Sequence, residues 1–304
     1  MTVASNPTMH PLITSLILFL ISSPVYAQYK CYEVFAKTTV SLEKAPSLEL
    51  QFSPDFPQSA KSVVVNIVDS VIRMTPELNK PAQMTFLLTK DPLYEVGFAN
   101  LETNSISLMS EAFKLSPKSF KALVAHEITH LIVTHNIHMR DKKTLAKTLS
   151  NPNMDAMDKM MATSSHQPFA ELLCDTMAAI VTQDPRAILR MIDEIIVMNP
   201  KFAKLQESNP LSRRDFSLDP EDKNWKTYAP KDFTYNRMNQ LRAHVWSKHM
   251  ERRSEKEQID AFRNLINVLD PIIQGNVYDL LTSQSGVYEA NLQLIDYLSK
   301  ALTP

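Results

Sequence analysis

The sequence predicts a helix-rich α+β domain, with a small mixed sheet early in the chain and a mainly helical C-terminal part. Three observations lead there. The 304 residues include only three glycines, Gly97, Gly275 and Gly286, too few for the turns of a sandwich or barrel. Strand-like runs are confined to the region before residue 110. From Ser116 onward the apolar residues recur mostly at helical spacing.

Residues 10–27 read HPLITSLILFLISSPVYA. The apolar stretch from Leu12 to Ile21 is too short to span a bilayer. The small residues Val25 and Ala27 suit a signal-peptidase cut before Gln28. The expectation is a signal peptide over 1–27, a mature domain over 28–304, and a secreted or periplasmic location. No Lys or Arg precedes the apolar stretch, so Met9 is an alternative start, and an uncleaved anchor or buried strand is the competing reading. No later run approaches about 18 apolar residues, so no membrane span is expected after signal removal. A net charge of -1 leaves no broad basic field for nucleic acid or anionic lipid.

Beyond the signal, Tyr29 to Leu50 carries extended, β-branched stretches, and Pro54 and Pro57 close a loop. Val64, Ile67, Val68, Val71 and Ile72 fall on one helical face within 58–75, and Pro76 ends that helix. Met84 to Thr89 reads as a central strand. Ser105-Ile106-Ser107-Leu108 alternates polar and apolar and is expected to be an edge strand. Ser116-Pro117 is a helix start, with a favoured N-cap followed by proline at the first helical position. That helix runs to about Asn136. Further helices are expected at about 167–182, 185–198, 233–250, 256–270 and 287–302. The polar stretch 205–232, with Pro210, Pro220 and Pro230, is expected to be a long loop or lid. Cys31 and Cys174 could pair in an exported chain, but Cys174 sits in a helical apolar pattern and fits a small buried residue.

Inside the Ser116-capped helix, residues 126–130 read His-Glu-Ile-Thr-His. Positions four apart on a helix are offset by about 40° and about 6 Å, so His126 and His130 point the same way. Two imidazoles on one face can grip one zinc ion at about 2.0–2.1 Å. Glu127 lies about 100° round the helix, where it can act on a water at the metal's open side as general base. The flanks ALVA and LIVT are apolar, so the motif is buried, and two histidines with a glutamate are costly to bury without a metal or dense hydrogen bonding. Hydrogen-bonded core histidines are the competing reading.

A catalytic site needs a third ligand and an open position. Glu171 in PFAELLCDTMAA is the best candidate, with Asp175 four residues on, placed to accept a proton from a ligand imidazole. A half-exposed helix with two solvated acids is the alternative. His135 is about 140° round the helix from His130 and is disfavoured as a ligand. His138, His166, His244 and His249 are further histidines, and Asn136 stands where a third histidine of the HExxHxxGxxH pattern would be. Iron or manganese is conceivable, but two histidines, a glutamate and an adjacent base suit zinc best.

The stretch GFANLETNSISLMSEAFKLSPKSFKALVAHEITHLIVTH, with His135 five residues after the second ligand and Glu171 four residues before Asp175, resembles the gluzincin metallopeptidases. The likeness is to CAAX prenyl endopeptidases, HtpX-type membrane peptidases and their soluble minimal relatives. It covers roughly 96–183, the expected catalytic core, with a weaker echo at 230–242. The resemblance implies a zincin-like fold, with an edge strand over the active-site helix, and one zinc ion on His126, His130 and Glu171. The segment Arg237 to Arg242 resembles one whose arginine helps stabilise the oxyanion, which makes Arg237, or nearby Tyr235, the expected donor. Thr129 stands where the family usually has Gly, Cys174 where it has Ala, and Lys231-Asp232 near its His-Pro.

The expected function is zinc-dependent endopeptidase action on exported or envelope proteins, with peptide or protein as substrate. The alternatives are a catalytically inactive zinc-binding envelope module acting as a binding or assembly factor, and a non-peptidase zinc hydrolase.

Overall fold

The computed structural model describes residues 36–42, 45–89, 96–101, 103–134, 136, 167–200, 211, 213–228, 238–274 and 287–302. The chain divides into two compact units, Met1–Val34 and Phe35–Pro304, and every described residue belongs to the second. The expected signal peptide and its cleavage site lie outside the described residues, as does Cys31.

The fold is helix-rich α+β. Five strands form one mixed sheet in the order β1-β2-β3-β5-β4, where β1 is Ala36–Leu42, β2 Ala45–Phe52, β3 Gln83–Thr89, β4 Gly97–Asn100 and β5 Ser105–Met109. β1 and β2 are antiparallel, β2, β3 and β5 run parallel, and β4 is antiparallel to β5. The parallel step from β2 to β3 is made through α1 (Gln58–Met74), whose Val64, Ile67, Val68, Val71 and Ile72 are all buried. Each such side chain contributes about 1.5–3 kcal/mol when fully buried, so the apolar stripe legible in the sequence docks the helix. Leu50, Phe52, Met84, Phe86, Ile106 and Leu108 are fully buried, and one continuous core joins them to the helices.

One expectation is corrected here. The 105–109 strand is not an edge: β5 lies between β3 and β4, and among the described residues the outer strand on that side is β4. The alternation of Ser105 to Leu108 arises because Ile106 and Leu108 join the core while the serines take the other face. A period of two reports which face is buried and carries no information on whether a strand has neighbours on both sides. Met109 N donates to Val96 O (3.0 Å), so in the alternating antiparallel pattern the N–H and C=O groups of Gly97 and Ala99 point away from β5.

Six more α-helices follow the sheet. α2 (Pro117–Thr129) begins at Ser116, whose hydroxyl accepts from Ser119 N, and continues through a π-helical turn at His130–Thr134. α3 is Gln167–Thr182 and α4 is Ala187–Met198. α5 (Asn239–Val245) also runs into a π-helical turn, Trp246–Met250. α6 (Glu255–Gln274) follows, and α7 (Val287–Ala301) ends the order. Glu194 of α4 accepts hydrogen bonds from Ser116 N (2.7 Å), Ser116 Oγ (2.7 Å) and Ser119 Oγ (2.8 Å), which fixes the start of α2 with a carboxylate at the positive end of its dipole. No helix among the described residues is long and apolar enough to cross a membrane.

Candidate metal centre

α2 and α3 pack directly on one another, which brings the two sequence motifs together. His126 and His130 face each other with Nε2 atoms 3.1 Å apart. Glu171 reaches both: Oε2 is 3.4 Å from His126 Nε2 and Oε1 is 3.3 Å from His130 Nε2. Ligand atoms at tetrahedral angles around a cation with bonds of about 2.0–2.1 Å stand about 3.3 Å apart. The two imidazole nitrogens are close to that spacing, a different Glu171 oxygen approaches each of them, and these three residues form the one cluster among the described residues that could hold a metal ion.

Asp175 lies beside His126. Its Oδ1 stands 3.0 Å from His126 Nδ1, on the ring nitrogen opposite the one facing Glu171. A carboxylate there fixes the ring orientation and raises the basicity of Nε2. The carboxylate is fully buried and is balanced by two arginines. Arg214 Nε donates to Oδ2 (2.8 Å), Arg214 Nη2 donates to Oδ1, and Arg242 Nε stands 2.8 Å from Oδ2. Arg214 Nη2 also donates to Glu171 Oε2 (2.9 Å), so one guanidinium ties the orienting carboxylate to the ligand carboxylate.

Neither arginine was assigned this role from the sequence. Arg242 carried a trace of a signal, as a lone cation within the apolar run Leu241 to Trp246, and it is fully buried. Arg214 had none, since it comes from the polar 205–232 stretch. The described part of that stretch, 213–228, is anchored: Leu211, Trp225 and Tyr228 form a small core, Asn239 Nδ2 donates to Leu211 O (2.8 Å), and Gln240 Nε2 donates to Pro220 O (3.0 Å). Tyr235, Arg237 and His135 lie outside the described residues.

The electrostatics follow from this census. Burial works to raise the Glu171 pKa, but His130, Arg214 and His126 outweigh it and hold it at about 2. Asp175 is likewise held far below the carboxylate range: Arg214, Arg242 and His126 overcome its burial. Burial disfavours the charged form of His130, yet the Cys174 and Glu171 side chains beside it raise its pKa well above the ordinary value. A proton on His130 therefore supplies, in the metal-free chain, the positive charge that a cation would bring. Cys174 is buried and free, and burial pushes its thiol up to about 11, so it stays protonated. Glu127 sits beside His126 on α2, 7% exposed, with Gly97 of β4 packed against its side chain.

Compared with protein-family models, with curated proteins and with solved structures, the chain matches none, so its reading rests on this buried His126–His130–Glu171 geometry and on the groups that orient it.

Proposed function

We propose that the chain is a zinc-dependent endopeptidase of the zincin type, resembling gluzincins, that acts on exported or envelope proteins. The observation that carries the reading is the convergence of the His126, His130 and Glu171 side chains in one cluster, with a carboxylic acid next to the first of them in sequence. Two imidazoles and one carboxylate are the donor set of a catalytic zinc site, which keeps a position for solvent. Zinc bound there supplies a Lewis acid that polarises a carbonyl and acidifies a water.

The chain's own groups do the rest. Glu127 takes the proton of the attacking water and passes it to the departing amine. Asp175, held by Arg214 and Arg242, keeps His126 in one tautomer. The outward N–H and C=O groups of Gly97 and Ala99 offer main-chain hydrogen bonds to an extended substrate along the side of β4 turned away from β5, which no other strand among the described residues covers. Tyr235 or Arg237 is the proposed donor to the oxyanion. Residues 10–27 support export before folding.

The test is metal content together with turnover of a peptide library. Wild type should carry one zinc per chain and cleave peptides, with cleavage blocked by phenanthroline. Glu127→Gln should keep the zinc and lose turnover. Cleavage retained by Glu127→Gln removes the base from the mechanism. A wild-type chain that binds zinc and cleaves nothing is the binding module instead.

A further inference from the structure

We infer that Gly97 is a positioning residue for Glu127: the missing side chain on the outer strand is what allows the acid's carboxylate to stand where it does. The inference rests on Glu127 being the base proposed above.

Glycine is a poor strand residue, and here the backbone does not require it, because Gly97 has no positive φ. Space requires it. A Cβ placed on Gly97 would stand 2.8 Å from Leu123 Cδ1, 3.2 Å from Glu127 Cγ and 3.2 Å from Glu127 Oε1. Leu123 is 3% exposed in the packed core and Glu127 is 7% exposed, so neither side chain has free room in which to retreat. Leu123 and Glu127 are one turn apart on α2, and the strand lies across both. The strand backbone thus forms one wall of the slot that holds the carboxylate. That slot lies where the outward groups of Gly97 would meet an extended peptide. A methyl group at this position would push on the base and leave His126, His130, Glu171 and Asp175 untouched.

Two variants separate the steric effect on the acid from the steric effect on the core. Gly97→Ala adds the methyl. Gly97→Ala with Leu123→Ala removes the 2.8 Å conflict and keeps the one with Glu127. Crystal structures of both should show the Glu127 carboxylate displaced or in another rotamer, with the three ligand side chains in place. Zinc content should stay at the wild-type level. In peptide assays kcat should fall by about tenfold or more with KM nearly unchanged, since small misplacements of a reacting group are costly. The double variant should not regain kcat, whatever the cavity at Leu123 does to the melting temperature. An unmoved carboxylate in the variant structures overturns the inference, and so does recovery of wild-type kcat by the double variant, which would make Gly97 a packing residue for Leu123. A wild-type chain without peptidase activity sinks the proposed function, and the displacement measurement then still decides the steric claim.

Discussion

The described residues hold two pairs of facing histidines, each at the junction of an α-helix with a π-helical turn, and they behave in opposite ways. His126 and His130 have ring centroids 4.7 Å apart, and His244 and His249 have theirs 5.6 Å apart. The first pair faces Glu171, and Asp175 backs His126. The groups acting on the second are Ser299, whose Oγ is 3.4 Å from His244 Nε2, and the cations Lys248 and Arg253. Burial, then His249 and Lys248, take His244 down to about 4, and burial with Arg253 lowers His249. His130 is raised because the Cys174 and Glu171 side chains lie beside it. A pair of imidazoles is therefore not a cation site in itself. What makes one is anionic charge supplied by a second element and held there by arginines.

The comparison can be broken most directly by removing ligands. His126→Ala or Glu171→Ala should abolish stoichiometric metal binding, read by elemental analysis, whereas His244→Ala with His249→Ala should leave it unchanged. The next effect is that of the orienting groups. Asp175→Asn and Arg214→Ala should each weaken metal affinity by about 10–100-fold in competition titrations against a chelator, since such partners set ring orientation and ligand basicity. Asp175→Asn folding and binding metal as tightly as wild type would separate Asp175 from the site.

Acidity sharpens the contrast further. His130 must lose its proton to bind a cation and its pKa is raised, so below that pKa apparent metal affinity should fall by about tenfold for each unit of acidification. A flat affinity profile between pH 5 and 7 would contradict the protonated resting state. The smallest effect belongs to the second pair. A histidine whose folded pKa lies below its unfolded one binds its proton more readily when unfolded. Its stabilising contribution is present above about pH 6.5 and is lost as the pH falls toward about 4. Urea titrations across that window should show wild type losing stability more steeply than His244→Gln.

The α2–α3 centre was legible because it is written in local geometry. His126 and His130 are joined by one helical turn, as are Glu171 and Asp175, and Ser116-Pro117 marks where the first helix starts. The helix expected at 167–182 is found at Gln167–Thr182, and the central strand expected at 84–89 is found at Gln83–Thr89. What stayed hidden depends on long-range packing. Sheet order is set by which neighbours a strand finds, so β5 read as an edge and the four-residue β4, with too few positions for a pattern, went unnoticed. Arg214 lies 43 residues beyond Glu171 in a segment without periodicity, and only the fold shows that it meets Glu171. The cost of a side chain at Gly97 is likewise invisible until α2 is laid against the strand.

The arginine pair on Asp175 has a consequence for biosynthesis. His126, His130, Glu171 and Asp175 are all synthesised before Arg214 and Arg242, the two counter-charges of the buried Asp175. A nascent chain that stops short of Arg214 would have to bury that anion with neither guanidinium beside it, so it should leave the cluster unformed. On the proposed reading, metal loading is then a late event in maturation, following synthesis of the segment that carries both arginines.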